Sequence, residues 1–399
     1  MLSICHTIQF LLVKLTNFNN KSSLTSFSGR VKAVTMSKDG KKFSFSSNFD
    51  SPPGVSKFAT SEVSLLRADD KPCIYEYSKK NSSDQIVVTG CNNEIREMQI
   101  QRKNSAPFYG KIHPDGKVDE IELPPKKDKV LYPDDFEKDK NKNKTKGFRG
   151  LIDDIIGGIG GGNGGNGGGI NIGGGGNGIN IGGGGNCNGG GNAQLPPCMD
   201  LEVYLYYGPS FEQSANGNAE AKAKRIASHA KNHYLHPEFP TKINMITTVK
   251  RLEQDTSSLQ GVGPLIPKEN LQKGRLHAML IGQSLGGNTV GVAWASTACR
   301  EPGGFGGGGP FSINLARGSD MSTGETLAHE LAHNLGVEHD FESGRRGHTC
   351  GPGQWSPGGA LMNYGRPLGK TWSECTREDF NNYFKCNQPF CLKTSKFIF

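Results

Sequence analysis

The chain is poor in several features that would define other classes of protein. No stretch approaches the ~20 consecutive apolar residues of a membrane-spanning helix. The apolar patch Ile8-Gln9-Phe10-Leu11-Leu12-Val13 is weaker than a good secretory core and has no Ala-x-Ala-like exit, so it reads as a poor export signal or a misplaced start. None of the ten cysteines forms a Cys-x-x-Cys pair, which removes the usual structural zinc knuckle. The glycine-rich tract is not followed by Gly-Lys-Ser/Thr and is therefore no phosphate loop. The lysine-rich run lacks interleaved aromatics, so it is no stacking platform for single-stranded nucleic acid, and no nucleic-acid partner is expected. The net charge of +8 comes partly from that run and says little about any site.

What is present is uneven along 399 residues, a length that suggests two or three units. Residues 1–124 contain apolar alternation suited to a small β unit, including Cys73-Ile74-Tyr75, the run from Val87 to Arg96, Gly110-Lys111-Ile112 and Glu120-Ile121-Glu122-Leu123. Residues 125–197 change character. A Lys/Asp-rich part, densest at Lys138–Lys146, reads as a solvated, protease-sensitive linker. It leads into a Gly/Asn tract over 157–192 in which the nonapeptide at 169–177 recurs at 178–186. No core can form there, so this is read as a flexible tether. Residues 198–399 regain globular patterning. Leu201–Tyr207 alternates like a strand, and 219–235 carries Ala219, Ala223, Ile226, Ala230 and Tyr234 on one helical stripe. Strand candidates follow at Ile243–Val249, Leu276–Ile281, Gly287–Ala295 and Phe311–Leu315. That order predicts an α/β unit with a mixed sheet.

The most informative run is His329-Glu330-Leu331-Ala332-His333-Asn334-Leu335-Gly336-Val337-Glu338-His339-Asp340. On a helix, His329 and His333 share a face one turn apart, so both rings can reach one zinc ion. Glu330 is placed beside the metal, where a general base for water belongs. Gly336 permits a sharp turn that returns His339 as a third ligand. Three ligands leave a position open, which is the arrangement of a catalytic zinc. A bare His-Glu-x-x-His could be a solvated helix; the glycine and the third histidine at fixed offsets argue against that. Ahead of the run, Ser322 or Thr323 is a candidate helix cap, with Glu325 closing a capping box on Ser322.

This run resembles the adamalysin (reprolysin) branch of the metzincins, the ADAM and ADAMTS type of zinc endopeptidase, in which an aspartate, here Asp340, follows the third histidine. The resemblance extends over roughly 199–393. It implies a methionine turn beneath the zinc at Met362, although Ala360 stands where the family commonly has a cysteine. It implies an α/β metzincin catalytic domain with a mixed, mostly parallel sheet and an active-site helix. It also implies an edge strand at Gly287–Ala295 that binds peptides antiparallel to itself, and a closing helix after Trp372. Asp340 would steady the loop after His339. The disulfides implied are Cys350–Cys375 and Cys299–Cys391, with Cys73–Cys91 in an ADAM-like propeptide. Partners of Cys386, Cys187, Cys198 and Cys5 stay open.

The expectation is therefore a secreted zymogen of a zinc-dependent endopeptidase acting on protein or peptide substrates, with one catalytic zinc. A structural calcium is compatible with such a domain, but no motif supports it. Cys187 or Cys198 could supply a thiolate that blocks the zinc before activation, although a disulfide partner or spare thiol is the plainer role for either. Asn20, Asn81 and Asn143 are glycosylation acceptors if the chain is exported. Little chain follows Leu392, so no disintegrin or thrombospondin-type module is expected. Two rival classes remain: a catalytically dead binding module, which an altered ligand would favour, and a secreted matrix protein, suggested by the glycine repeat.

Overall fold

The computed structural model describes residues 30–36, 43–48, 58–69, 73–79, 85–91, 95–101, 106–125, 127–131, 195–215, 217–302, 308–343, 347–387 and 392–394. The Lys138–Lys146 run, the glycine tract with Cys187, the amino-terminal patch with Cys5, and the three glycosylation acceptors lie outside them.

The first unit is an antiparallel meander in which each strand pairs with the next: β1 (Arg30–Met36), β2 (Phe43–Asn48), β3 (Phe58–Asp69), β4 (Ile74–Lys79), β5 (Gln85–Thr89), β6 (Arg96–Gln101), β7 (Phe108–Ile112) and β8 (Val118–Glu120). Its core packs Tyr75, Tyr77, Ile86, Val88, Met98, Ile100 and Phe108. Alternation explains this choice, because in-facing positions two apart along β4, β5 and β6 are the apolar ones. The Cys73–Cys91 disulfide joins the start of β4 to the chain just beyond β5.

The second unit is built on a mixed sheet in the order β11-β10-β12-β14-β13-β9. Its strands are β9 (Lys127–Leu131), β10 (Cys198–Tyr207), β11 (Lys242–Arg251), β12 (Arg275–Ile281), β13 (Thr289–Trp294) and β14 (Phe311–Leu315). The pairs β10/β11, β10/β12 and β12/β14 are parallel, and β13 runs antiparallel to β14. A short β15 (Lys393–Thr394) pairs with the start of β10. Along β10, Leu201, Val203 and Leu205 enter one core while Tyr204 and Tyr206 face the other. This period of two is what a strand buried on both faces requires.

Helices cover both faces. After α1 (Pro209–Ser214), the long α2 (Ala219–Tyr234) lies on one face beside α4 (Asp320–Asn334). The short α3 (Leu259–Leu265) covers the other. The Asn218 side chain caps α2 by accepting from Ala221 N at 3.1 Å. The stripe Ala219, Ala223, Ile226, Ala230 and Tyr234 is buried as its spacing requires. The closing helix α5 (Glu374–Asn387) follows Trp372, whose ring packs against Tyr234 and Phe239. Cys350 and Cys375 are disulfide-bonded and tie the loop beyond the histidines to α5.

Two local expectations need correction. The cap of α4 is Ser319, which accepts from Ser322 N at 3.0 Å, rather than Ser322 or Thr323. The helix thus begins one turn earlier, and Glu325 is too far inside it to close a capping box. Second, Lys127–Leu131 belongs to the stretch whose lysine density suggests a solvated linker, yet it forms β9 and adds to the second sheet. Only every second residue of a strand faces inward, so Lys127 and Lys129 stay exposed while Asp128 is buried.

Candidate metal centre

The helix α4 is buried along almost its entire length, and His329, Glu330 and His333 have no measurable exposure. It ends in a paired C-terminal motif: Gly336 N donates to His333 O at 2.9 Å and Val337 N to Ala332 O at 3.0 Å. Gly336 has φ +90°, and a side chain there would run into the Tyr383 ring, so two independent constraints select glycine. The turn carries His339 back over the helix.

The three rings converge. His333 Nε2 lies 3.1 Å from His329 Nε2, which lies 3.4 Å from His339 Nε2. A tetrahedron with zinc–nitrogen bonds of about 2.0 Å has edges of about 3.3 Å, so these spacings suit three ligands of one ion. The tautomers point the same way. His329 Nδ1 is 2.8 Å from Leu361 O and His333 Nδ1 is 2.7 Å from Val337 O. A carbonyl only accepts, so each Nδ1 carries the proton and each Nε2 presents a lone pair. His339 Nδ1 lies 3.1 Å from the Glu342 carboxylate, with the same consequence.

A fourth acceptor meets them. Asp128 Oδ2 is 3.1 Å from His329 Nε2 and 2.9 Å from His333 Nε2, and Oδ1 is 3.0 Å from His339 Nε2. Asp128, His329, His333 and His339 therefore form one buried group able to hold a metal ion. With all three Nδ1 atoms protonated, four acceptors face one point, and a cation satisfies them together. A proton can take the place of that cation: burial works against charge on His339, but the Asp128 and Glu342 carboxylates outweigh it and raise its pKa to about 9, so that in this protonated form its Nε2 donates to Asp128. Burial likewise opposes charge on Asp128, yet His329 and His339 hold it well below the usual carboxylate range. The cluster attracts positive charge to its centre.

Glu330 lies between α4 and β13. A Cβ on Gly291 would overlap its carboxylate, so that glycine on β13 provides its space. Met362 is fully buried, and the preceding Leu361 carbonyl orients His329. Asp340 is buried as well. Its backbone N donates to Met362 O at 3.1 Å, and its Oδ1 accepts from Ser373 Oγ at 2.5 Å, linking the His339 loop to the methionine turn and to the start of α5. A second group, His348 with Cys350 and Cys375, has metal-ligand spacing but is disqualified because its sulfurs are bonded to each other.

Sequence reasoning overlooked Asp128. Its only local signal is an aspartate flanked by lysines, which looks like the solvated stretch that follows it. It also assigned the edge of the sheet to a substrate, whereas β9 occupies that edge and runs parallel to β13, with Asp128 in register with Gly291. Cys198 is disulfide-bonded, which removes it as a blocking thiol. Cys299 is also disulfide-bonded; Cys391, its partner by resemblance, lies outside the described residues, as does the Cys386 side chain.

A buried helix presenting two histidines and a glycine turn returning a third form a candidate metal centre on a mixed α/β sheet. Residues 267–395, about a third of the chain, match the model of the Reprolysin (M12B) family zinc metalloprotease, whose members are metalloendopeptidases. Among similar curated proteins is zinc metalloproteinase-disintegrin-like brevilysin H2a of Gloydius brevicauda, 29% identical over 107 residues, covering 27% of this chain and 23% of that protein. Human "A disintegrin and metalloproteinase with thrombospondin motifs 19" is 28% identical over 106 residues, covering 26% of this chain and 8% of that protein. Mouse disintegrin and metalloproteinase domain-containing protein 19 is 31% identical over 124 residues, covering 30% and 12%. The chain thus spans less than a quarter of the length of these relatives. Among the described residues, no helix is long and apolar enough to cross a membrane.

Proposed function

We propose that this chain is a secreted zymogen of a zinc-dependent endopeptidase that hydrolyses peptide bonds in proteins, with zinc on His329, His333 and His339 and Glu330 as general base. The domain division that goes with this reading is a propeptide over 1–124, a linker over 125–197 and a protease domain over 198–399, with β9 as a structured segment inside the linker. The observation that carries the reading is the convergence of three Nε2 lone pairs, each fixed by an acceptor on its Nδ1, next to a buried carboxylate.

A zinc ion held there supplies Lewis-acid polarisation of a carbonyl and of water. The residues do the rest. Glu330, one position after His329, faces β13, along which a substrate would lie once β9 has left; it takes the proton of the attacking water and returns it to the leaving amine. The backbone groups of β13 offer sequence-tolerant hydrogen bonds to an extended peptide. Asp340 and Met362 hold His339 and the floor of the site in place, so the ligands lose little freedom on binding metal.

The test is metal content measured together with chelator-sensitive digestion of a casein-type substrate, using protein freed of residues 1–197. One zinc per chain is expected. Glu330→Ala should keep that zinc and lose roughly a hundredfold to ten-thousandfold in turnover. Undiminished turnover in this variant would remove Glu330 from the role, and a metal-free wild type would remove the enzyme reading.

A further inference from the structure

Resting on the zinc reading above, we propose that Asp128 is an internal inhibitory ligand: its carboxylate occupies the position on the three-histidine site that water or substrate would need, and β9 holds it there by filling the substrate edge of the sheet.

Three independent placements support this. The first is the carboxylate itself. Both of its oxygens lie within 3.1 Å of histidine Nε2 atoms, and it is as buried as the ligands. A carboxylate buried against three imidazoles is stable only where positive charge is shared among them, as a proton or as a metal ion, so the carboxylate and the histidines make sense as one ligand set. The second is the strand. Lys127–Leu131 is in parallel register along Thr289–Trp294, so the outer hydrogen-bonding edge that an extended peptide would use is already taken. The Asp128 main-chain carbonyl accepts from Tyr364 Oη at 3.4 Å, leaving the side chain, which has no bond to cleave, as the group directed to the histidines.

The third is the anchoring upstream. The β meander docks on the catalytic unit through buried polar contacts that fix where β9 begins. Glu97 on β6 accepts from Met321 N at 3.0 Å, at the first turn of the zinc helix. Tyr109 on β7 donates to Glu325 Oε2 at 2.9 Å, one turn before His329. Gln101 accepts from Thr371 Oγ1 at 2.7 Å, next to Trp372. A segment delivered to a metal site by contacts on the helix that carries the ligands and on the segment before α5 acts as an intramolecular competitor at high effective concentration. No thiol is needed for this, and Cys198 has none to offer.

The test uses the full chain with cobalt(II) in place of zinc and acetohydroxamate as the probe. In the wild type, acetohydroxamate should leave the visible cobalt spectrum unchanged over a range in which Asp128→Ala and Asp128→Asn respond. The apparent Kd for the probe should fall by about tenfold or more in both variants, because apparent affinity scales with the fraction of sites that are open. Casein digestion by the uncleaved variants should rise in parallel. The Asn variant keeps the size and packing of the side chain, so the question is still answered if the Ala variant does not fold. Equal probe affinity and equal spectra in wild type and Asp128→Asn would overturn the proposal. If the wild type takes up no cobalt or zinc at all, it is the zinc reading that fails, a result that metal analysis distinguishes from the first.

Discussion

Gly291 and Glu330 define each other. The glycine sits on β13 and the glutamate on α4, and the carboxylate fills the volume that any side chain at 291 would take. The spacing of Glu330 from His329 is set within one helix, but its aim depends on a residue from another element. A base that must meet water within hydrogen-bonding reach tolerates little displacement.

Gly291→Ala should therefore impair turnover without removing the metal. A shift of about 1 Å in a catalytic group can cost about a hundredfold. The expected outcome is kcat reduced on that order, with zinc content and thermal unfolding close to those of the parent. An unchanged kcat would show that Glu330 does not need its present position.

The docked meander should respond to pH through two opposed groups. Burial, reinforced by the Asp320 charge against the weaker pull of the Met321 N–H, Lys111 and Arg225, raises Glu97 to about 7 from its ordinary 4.5. The folded state then holds a proton that the unfolded chain releases, so this group's contribution to stability is full below about 4.5 and is lost as pH rises toward 7. His229, whose Nε2 meets Thr89 Oγ1 at 3.0 Å and whose Nδ1 meets Gln99 Oε1 at 3.0 Å, is lowered to about 3 by burial and by Arg225. Its contribution is full above about 6.5 and is lost as pH falls toward 3. Urea midpoints across pH 4 to 8 should show Glu97→Gln gaining on the wild type as pH rises, and His229→Gln gaining as pH falls. Parallel curves for wild type and both variants would contradict the assignment.

Glu325, on α4, and Arg366 form a buried ion pair, and Tyr109 donates to the second carboxylate oxygen. Burial lowers Arg366 to about 10, well within the range where it stays charged. Removing one partner strands the other, at a cost of about 3–5 kcal/mol, whereas replacing both with apolar groups is far milder. Arg366→Leu should lower the unfolding midpoint sharply, and Glu325→Leu with Arg366→Leu should recover much of the loss. An Arg366→Leu protein as stable as wild type would mean that Glu325 is already satisfied without it.

The local parts of the site were legible because they obey short-range geometry. His329 and His333 are one helical turn apart, Gly336 marks a turn that only glycine takes comfortably, and the alternation in Leu201–Tyr207 distinguishes the two faces of its strand. The helix cap was misread by one turn because Ser319, Ser322 and Thr323 all have capping chemistry, and only the backbone selects among them. Glu325 looked like a capping partner for the same reason, and its true partners, Tyr109 and Arg366, are 216 and 41 residues away.

By itself, the sequence determined the spacing and order of the candidate metal ligands, the place of Glu330 beside them and the strand and helix periods of the second sheet, since these depend on spacings of a few residues. Tertiary structure alone decided that Asp128, 201 residues before His329, joins the histidines. It also decided that a lysine-flanked segment becomes an edge strand and that a glycine on β13 makes room for Glu330. Those outcomes depend on which surfaces meet once the chain has folded. No local pattern encodes them, because the pairing of buried charge is settled by the neighbours that packing supplies.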